Sequence, residues 1–263
     1  MDADPYGGAG VLEAEGVVVP PGDHYGALAD YREVWRRKAV LRTVYSDLYR
    51  RVVGACRSGS ILEVGGGSGN FKEFHADTLT TDIQVAPWVD IVADAQALPF
   101  SRASLDNIVL FDVLHHIPRP VRFLDEAVRI LRPGGRLVMM EPGITPVSFV
   151  FYRWFHSEPV VLGADPLMEQ PSEGPRHPFD ANQAIPTLLF GRHRERLNRR
   201  FPELRVTECR YLSLFAYPLS GGFQPWSLIP AAAAVPMLGL ERVLEPLLGR
   251  VMGFRLFAVL ERR

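Results

Sequence analysis

The chain has 263 residues, of which 47% are hydrophobic, so it can bury the core of one large domain. Its formal net charge of −1 argues against a broad nucleic-acid-binding surface. The sequence contains two isolated cysteines, which predicts a protein without disulfides. It lacks a basic and apolar N-terminal leader and any apolar run of about 20 residues, so we expect a cytoplasmic protein without stable membrane insertion.

Residues 1–24 are rich in glycine, proline and acidic residues, and they predict a flexible N-terminal arm. A single domain is expected over residues 25–263. From about Leu28 to Ala55, apolar residues recur at spacings of three, four and seven, which predicts an amphipathic helix. Because this helix precedes the first strand, it could cover a ligand site, although most of its side chains are expected to pack or to face solvent.

The next stretch, residues 61–71, begins as a short apolar strand and runs into a turn with four glycines. Glycine adopts positive φ without steric cost and lets the backbone approach a ligand closely. A helix that follows such a turn directs backbone N–H groups at an anionic group. A dinucleotide-binding loop would need the pattern G-x-G-x-x-G, but Asn70 stands where the third glycine should be.

The spacing is instead Glu63-x-Gly65-x-Gly67-x-Gly69. This pattern resembles the nucleoside-binding loop of class I methyltransferases that depend on S-adenosylmethionine (SAM). The resemblance implies SAM as the cofactor and S-adenosylhomocysteine (SAH) as the product. It also implies that the residues of this loop contact the cofactor, namely Glu63, Gly65, Gly66, Gly67 and Gly69.

Acidic residues end the next two predicted strands. Asp82 follows Glu63 by nineteen residues, close to the distance at which an acidic residue binds the ribose hydroxyls in nucleotide-binding βαβ units. Ile83, next to it, is assigned to the same site. The resemblance implies that Asp94 accepts a hydrogen bond from the adenine amino group and that the N–H of Ala95 contacts a ring nitrogen. A turn-forming aspartate is the alternative at both positions.

Residues 105–141 contain a continuous apolar strand, a helix and a further strand. The Leu-Arg-Pro-Gly-Gly turn at residues 131–135 ends the helix and is among the most recognisable parts of the same methyltransferase family. The resemblance places Asp112 and Val113, at the exit of the apolar strand, against the sulfur and amino-acid end of SAM. A strand-capping aspartate is the alternative.

Alternation of strands and helices predicts a Rossmann-like, doubly wound α/β sheet. Seven strands are expected, mostly parallel with one antiparallel. Residues 58–142 are the expected cofactor-binding core, and residues 143–203 and 216–253 are the expected substrate or lid insertions. A helix over residues 236–251 carries an apolar stripe and a face of mixed charge, whereas membrane-surface helices favour basic polar faces. It is therefore expected to face the core or to form a lid.

Three histidines are candidates for a catalytic base. His115 and His116 follow the apolar strand, beside the expected position of the transferred methyl group, and histidine titrates near neutral pH. Similar His-His pairs recur at this position in small-molecule methyltransferases, where some serve as the base. A packing or loop-anchoring role is an equal alternative for each. His156, in the first insertion, is a further candidate.

The predicted function is methyl transfer from SAM to a small molecule, by default to oxygen, in a bacterial secondary-metabolite or glycan pathway. Two alternatives stay open: a SAM-binding enzyme that catalyses another reaction, such as a cyclisation, and a nicotinamide-dependent oxidoreductase. No nucleic-acid partner is predicted, and the sequence leaves room for a homodimer. Glu158, Asp165 and His177 match no compact ligand spacing, so no metal site is predicted.

Overall fold

The computed structural model of the chain describes residues 24–169 and 180–263. The arm predicted for residues 1–24 lies outside these ranges except for its last residue, and it stays a prediction. The described residues form a seven-stranded sheet with packed helices on both faces. The predicted α/β fold class is therefore confirmed.

Strands and helices alternate through the first half of the chain. The strands are β1 (Ile61–Val64), β2 (Leu79–Asp82), β3 (Ile91–Val92), β4 (Leu105–Phe111), β5 (Leu131–Pro142), β6 (Leu204–Leu212) and β7 (Arg255–Arg262). The helices of the described ranges are α1 (His24–Arg37), α2 (Ala39–Ala55), α3 (Asn70–Phe74), α4 (Pro120–Ile130), α5 (Pro146–Phe155), α6 (Ile185–Phe190), α7 (Arg194–Arg200), α8 (Ala216–Ser220) and α9 (Ala231–Met252).

The order of the strands in the sheet is β3-β2-β1-β4-β5-β7-β6. Strands β1 to β5 pair in parallel, whereas β7 is antiparallel to both of its neighbours. The chain reverses its direction of winding between β1 and β4, which lie side by side. In open α/β sheets, ligands bind at this reversal, outside the carboxyl ends of the strands. The topology therefore places the expected site at the exits of β1 and β4.

Helices α2 and α4 cover opposite faces of the sheet. Phe123 of α4 is fully buried in the same apolar cluster as Ile108 of β4. Leu41 of α2 is fully buried in a second cluster with Val109 of β4. Because successive residues of a strand point to opposite faces, β4 is buried on both sides, as its continuous apolar run predicted.

The single helix predicted over residues 28–55 is two helices, α1 and α2, which meet at Lys38. The backbone of Lys38 is not helical, with φ −98° and ψ 88°. Its ammonium group donates hydrogen bonds to the carbonyls of Gly222, Gln224 and Trp226, each at 2.7 Å. The break therefore coincides with an anchor to a loop far along the chain, which local apolar spacing cannot reveal.

Helix α9 does not turn its apolar stripe to the core. The sequence predicted a helix that faces the core or forms a lid, and in the structure Val243 and Leu247 of the stripe are 75% and 77% exposed. Glu241 and Glu245 are buried instead. Their carboxylates accept hydrogen bonds from backbone N–H groups just after β6, and Glu245 also pairs with Arg51. The core-facing alternative is wrong because buried backbone donors need acceptors, and these two glutamates supply them. The lid alternative stays a prediction.

Candidate active site

A cavity of about 600 Å³ lies at the carboxyl ends of β1 and β4. Residues that the sequence predicted for the site and that line this cavity are Glu63, Gly65, Gly66, Gly67, Asp112, His115, His116 and His156. Predicted residues that do not line it are Gly69, Asp82, Ile83, Asp94, Ala95 and Val113. Lining residues that the sequence did not assign to a site include Tyr49, Gln183, Tyr217 and Arg255.

The glycine turn holds its backbone close to the cavity. Gly65 and Gly67 have positive φ angles of 76° and 48°. A Cβ atom at Gly65 would lie 2.5 Å from a methyl carbon of Val113, so a larger residue would force a displacement. The N–H groups of Gly65 and Gly66 donate to the carbonyl of Thr81 at 2.8 and 2.9 Å. A Cβ atom at Gly67 would meet no atom within 4 Å, so the backbone there borders open space.

Asp82 is a buried carboxylate that braces this turn. Its Oδ2 accepts a hydrogen bond from the N–H of Gly67 at 2.8 Å, and its Oδ1 accepts one from the N–H of Gln84 at 2.8 Å. Burial raises the pKa of Asp82, and these hydrogen bonds oppose that rise. Its ribose contact stays a prediction.

Asp94 makes the contact expected of a turn-forming aspartate. Its Oδ1 accepts hydrogen bonds from the backbone N–H of Gln96 at 2.8 Å and from the side-chain amide of the same residue at 3.1 Å. The alternative reading of Asp94 therefore has a structural basis. Its adenine contact, and that of Ala95, stay predictions.

Asp112 forms an ion pair with Arg255 of β7, a partner that the sequence did not indicate. Asp112 has a left-handed backbone with φ 59°, which is uncommon outside glycine. The guanidinium of Arg255 is buried, lies 4.1 Å from the centre of the Tyr217 ring, and donates to the hydroxyl of Tyr45 at 3.1 Å. Burial raises the pKa of Asp112, and the charge of Arg255 opposes that rise. A carboxylate and a guanidinium thus stand side by side in the cavity wall.

A histidine and glutamate cluster forms another part of the wall. The Nδ1 of His115 lies 2.8 Å from Oε2 of Glu141. The other oxygen of Glu141 accepts hydrogen bonds from the N–H groups of Val113 and Leu114, each at 2.9 Å. On the opposite side, Nε2 of His115 lies 3.4 Å from a carboxylate oxygen of Glu158. His115 is therefore fixed between two carboxylates.

His116 meets the same glutamate. Its Nε2 lies 3.8 Å from Oε1 of Glu158, and its ring lies 4.2 Å from that of His115. His156 accepts a hydrogen bond from the backbone N–H of Glu158 at its Nδ1, at 3.2 Å. The three predicted histidines thus converge on Glu158, which arrives from the segment after α5.

The two neighbouring histidines titrate in opposite directions. Burial disfavours the charge of His115, but its carboxylate partners outweigh burial and raise its pKa to about 10. Burial and the positive charge of His115 lower the pKa of His116 to about 4. Burial opposes the charge of Glu158, but the histidines outweigh it and lower its pKa to about 2. At neutral pH, His115 and Glu158 are charged and His116 is neutral.

His115, His116 and Glu158 each offer a ligand atom, and these atoms lie within 4.8 Å of one another. Such a set could hold a divalent cation, although the sequence predicted no metal site. Glu158, Asp165 and His177 are the metal ligands considered from the sequence, and only Glu158 belongs to both groups. Asp165 instead pairs with Arg196 at 2.9 Å, and His177 lies outside the described residues.

Over residues 48–139 the sequence matches the family of methyltransferase domains. A SAM-dependent methyltransferase from Thermotoga maritima has the same fold, with a TM-score of 0.53, 14% sequence identity, and coverage of 90% of this chain and 99% of that one. Residues 48–139 thus resemble a methyltransferase domain, and the fold of the described residues is that of a class I, SAM-dependent methyltransferase. A SAM-dependent methyltransferase from Archaeoglobus fulgidus is similar over 84% of this chain and 94% of that one, with a TM-score of 0.50 and 16% identity.

Curated relatives match the methyltransferase domain over part of their length. An uncharacterized methyltransferase of Mycolicibacterium vanbaalenii is 30% identical in an alignment of 138 positions, which covers 45% of this chain and 50% of that protein. A demethylmenaquinone methyltransferase of Renibacterium salmoninarum is 28% identical in an alignment of 137 positions, which covers 47% of this chain and 57% of that protein. The chain thus spans about half the length of the curated relatives it matches. The family match ends before α5, so it does not reach Glu158 or Arg255.

Proposed function

We propose that this protein transfers a methyl group from SAM to a hydroxyl oxygen of a small molecule, in a bacterial secondary-metabolite or glycan pathway. The observation that carries the proposal is a neutral imidazole, His116, which lines the cavity beside the charged pair of His115 and Glu158. SAM, when bound, supplies an electrophilic methyl group on a sulfonium. A hydroxyl oxygen becomes a strong nucleophile only when a base takes its proton.

The cavity wall is chemically suited to SAM. Gly67 presents backbone with no side chain in the way, as close approach of a ligand requires. Asp112 and Arg255 offer a carboxylate and a guanidinium side by side, which complement the ammonium and carboxylate of an amino-acid tail. These residues would hold that tail, and Asp82 would hold the ribose from behind the glycine turn. The division into a core and two insertions is part of the same proposal.

The proposed base is His116, acting through Nε2. The proton of the acceptor hydroxyl passes to this nitrogen, and the resulting imidazolium is stabilised by the carboxylate of Glu158, 3.8 Å away. His115 acts as a positioning residue, since both of its nitrogens are engaged by Glu141 and Glu158. His156 positions the backbone of Glu158.

The proposal is tested by binding and by turnover. Calorimetry with SAM, SAH and NAD is expected to show binding of the first two and none of NAD. Turnover of SAM labelled in its methyl group, against a panel of hydroxylated metabolites, is expected to yield a labelled methyl ether. Failure of both SAM and SAH to bind would overturn the proposal. Binding of SAM together with conversion of an acceptor that gains no label would indicate a non-methylating reaction instead.

Replacement of Asp82 by alanine is expected to weaken SAM binding by about 10- to 150-fold. The substitution removes a charge-assisted partner of the ribose, worth roughly 1.5–3 kcal/mol, and it frees the N–H of Gly67 from its brace. Calorimetric affinity for SAM is the measurement, with circular dichroism to verify folding. Asp77→Ala, an exposed position just before β2, is the matched control. Unchanged affinity in a folded Asp82→Ala protein would show that the ribose assignment is wrong.

Removal of divalent cations is expected to leave methyl transfer unchanged. The proposed base needs Nε2 of His116 for the proton of the acceptor, whereas a bound cation would occupy that nitrogen. The measurement compares turnover before and after dialysis against EDTA. Activity that is lost on dialysis and restored by Mn²⁺ or Zn²⁺ would show that the reaction needs a cation and would contradict the metal-free mechanism with His116 as the base.

A further inference from the structure

Two neighbouring helices, α5 and α9, expose an apolar surface. Thr145, at the start of α5, donates a hydrogen bond to the carbonyl of Gly253, just beyond the end of α9, at 3.2 Å. Large side chains that these helices leave exposed form what we call the α5–α9 face: Val147, Val150, Trp154, Phe155, Val235, Leu240, Val243, Leu247 and Val251. Large apolar patches on a protein surface mark sites of interaction with proteins or membranes.

The exposed charges of both helices are exclusively basic. Over their full, described lengths, the exposed charged residues are Arg153, Arg242 and Arg250. Of these, Arg242 pairs with the carboxylate of Asp47 in α2, so Arg153 and Arg250 carry the basic character of the face. The two acidic residues, Glu241 and Glu245, are buried and bind backbone N–H groups. The sequence predicted a polar face of mixed charge on α9. In the folded protein the exposed charges are basic, because both carboxylates are buried.

We propose that the α5–α9 face docks on a membrane surface that contains anionic lipids. Helices that lie in the membrane interface combine aliphatic and aromatic side chains on one side with arginine or lysine beside them. Basic residues near the surface are attracted by the negative potential of anionic lipids. Among the described residues, no helix has the length and apolar character needed to cross a bilayer. The proposed contact is thus a peripheral one, along the sides of two helices.

The charge of the face argues against a second copy of this chain as its occupant. In a twofold symmetric contact, the same surface patch packs against itself. Arg153 and Arg250 would then be brought toward their own copies, and neither helix offers an exposed carboxylate to separate them. Like charges across an interface oppose association. An anionic lipid surface supplies the opposite charge.

The same helix α5 also reaches the cavity. Tyr152 and His156 line the cavity, and Phe155 lines it while also being 75% exposed. Trp226, near the start of α9, lines the cavity and is partly exposed as well. A membrane against the α5–α9 face would therefore lie close to aromatic side chains of the cavity rim. If the proposed methyl transfer is correct, the acceptor would be an apolar compound that partitions into membranes.

Vesicle sedimentation with the 263-residue chain tests the docking independently of activity. Vesicles of phosphatidylcholine with about 30% phosphatidylglycerol are expected to retain the protein, and vesicles of phosphatidylcholine alone are expected to retain much less. Tryptophan fluorescence should shift to shorter wavelength on the anionic vesicles. The Trp154→Phe variant should lose much of that shift, because Trp154 is the most exposed tryptophan of the face.

Substitutions on the face distinguish lipid from protein as the occupant. Val243→Asp/Leu247→Asp is expected to lower vesicle affinity by more than about tenfold, since two apolar side chains lose their burial. Each of Arg153→Gln and Arg250→Gln should lower it by about fivefold. Val85→Asp is the matched control. Val85 is exposed and follows β2, which lies toward the opposite edge of the sheet from β6, the strand that α9 contacts.

Two outcomes would overturn the docking proposal. One is a lack of binding to the anionic vesicles by the wild-type protein, or equal binding by Val243→Asp/Leu247→Asp. The other is a dimer, measured by light scattering, that Val243→Asp/Leu247→Asp converts to a monomer, because a second copy would then be the occupant. Neither result depends on whether SAM binds or whether methyl transfer occurs.

Discussion

Replacement of His116 by alanine is expected to lower kcat by about 10²- to 10⁴-fold, the usual contribution of a positioned general base. His116 lines the cavity as a neutral imidazole and has Glu158 beside its Nε2 to stabilise the charge it would gain. Affinity for SAM should change little, because the glycine turn and the pair of Asp112 and Arg255 are untouched.

Single-turnover rates with labelled SAM and calorimetric affinity for SAM together measure this effect. His193→Ala serves as the control, because His193 directly precedes α7 and lies outside the cavity lining. A folded His116→Ala protein with wild-type kcat would make His116 a structural residue. Equal losses in kcat and in SAM affinity would point to a collapsed cavity instead of a missing base.

The pH profile of the wild-type enzyme gives an independent readout of the same assignment. The pKa of His116 is lowered to about 4, so its basic form is present above that pH and is lost as pH falls through it. The pKa of His115 is raised to about 10, so its charge is retained until pH approaches that value. We expect kcat at saturating substrate to stay flat across the neutral range. An acid limb near 6.5, the ordinary pKa of histidine, would contradict the assignment.

Replacement of Arg255 by methionine is expected to lower the free energy of unfolding by about 3–5 kcal/mol. Removal of one member of a buried ion pair leaves the other charge without compensation. Arg255 is buried between Asp112, the hydroxyl of Tyr45 and the ring of Tyr217. The loss should therefore arise from an unpaired Asp112 carboxylate and from a lost hydrogen bond.

Urea unfolding of the wild-type protein and three variants measures this effect and its cause. The Arg255→Met/Asp112→Asn variant should regain part of the lost stability, because it removes the uncompensated charge. Arg205→Met is the matched control, because Arg205 forms an exposed pair with Glu261 at 3.4 Å and should matter by less than about 1 kcal/mol. If Arg255→Met costs no more than Arg205→Met, the buried pair does not stabilise the fold as proposed.

The elements that the sequence predicted best are those encoded by contiguous residues. The strand and glycine turn of residues 61–71 fold as expected, because positive φ at Gly65 and Gly67 is a local preference of glycine. The apolar run of β4 predicted a strand buried on both faces, and it is one. The order of these signals along the chain was enough to predict the doubly wound sheet and, by resemblance, the methyltransferase domain.

The partners across the cavity could not be predicted in this way. Asp112 and Arg255 are 143 positions apart, and nothing local to β7 marks its first residue as a site residue. His115 and His116 stood out in the sequence, but their charge states depend on Glu158, which no local pattern connects to them. The pKa values of these adjacent histidines shift in opposite directions because the folded chain places different carboxylates beside each ring.

Helix α9 also combines a local property that the sequence predicted with an orientation that only the folded structure shows. Its periodicity correctly predicted a helix with an apolar stripe, because helix formation and side-chain spacing are local properties. Which side of the helix faces the core depended on the unpaired backbone donors after β6, which Glu241 and Glu245 satisfy. The sequence alone thus determined the elements, their order and the glycine turn. Tertiary structure decided the ion pairs, the protonation of the candidate base and the exposure of an apolar face, because each depends on groups that meet only after the chain has folded.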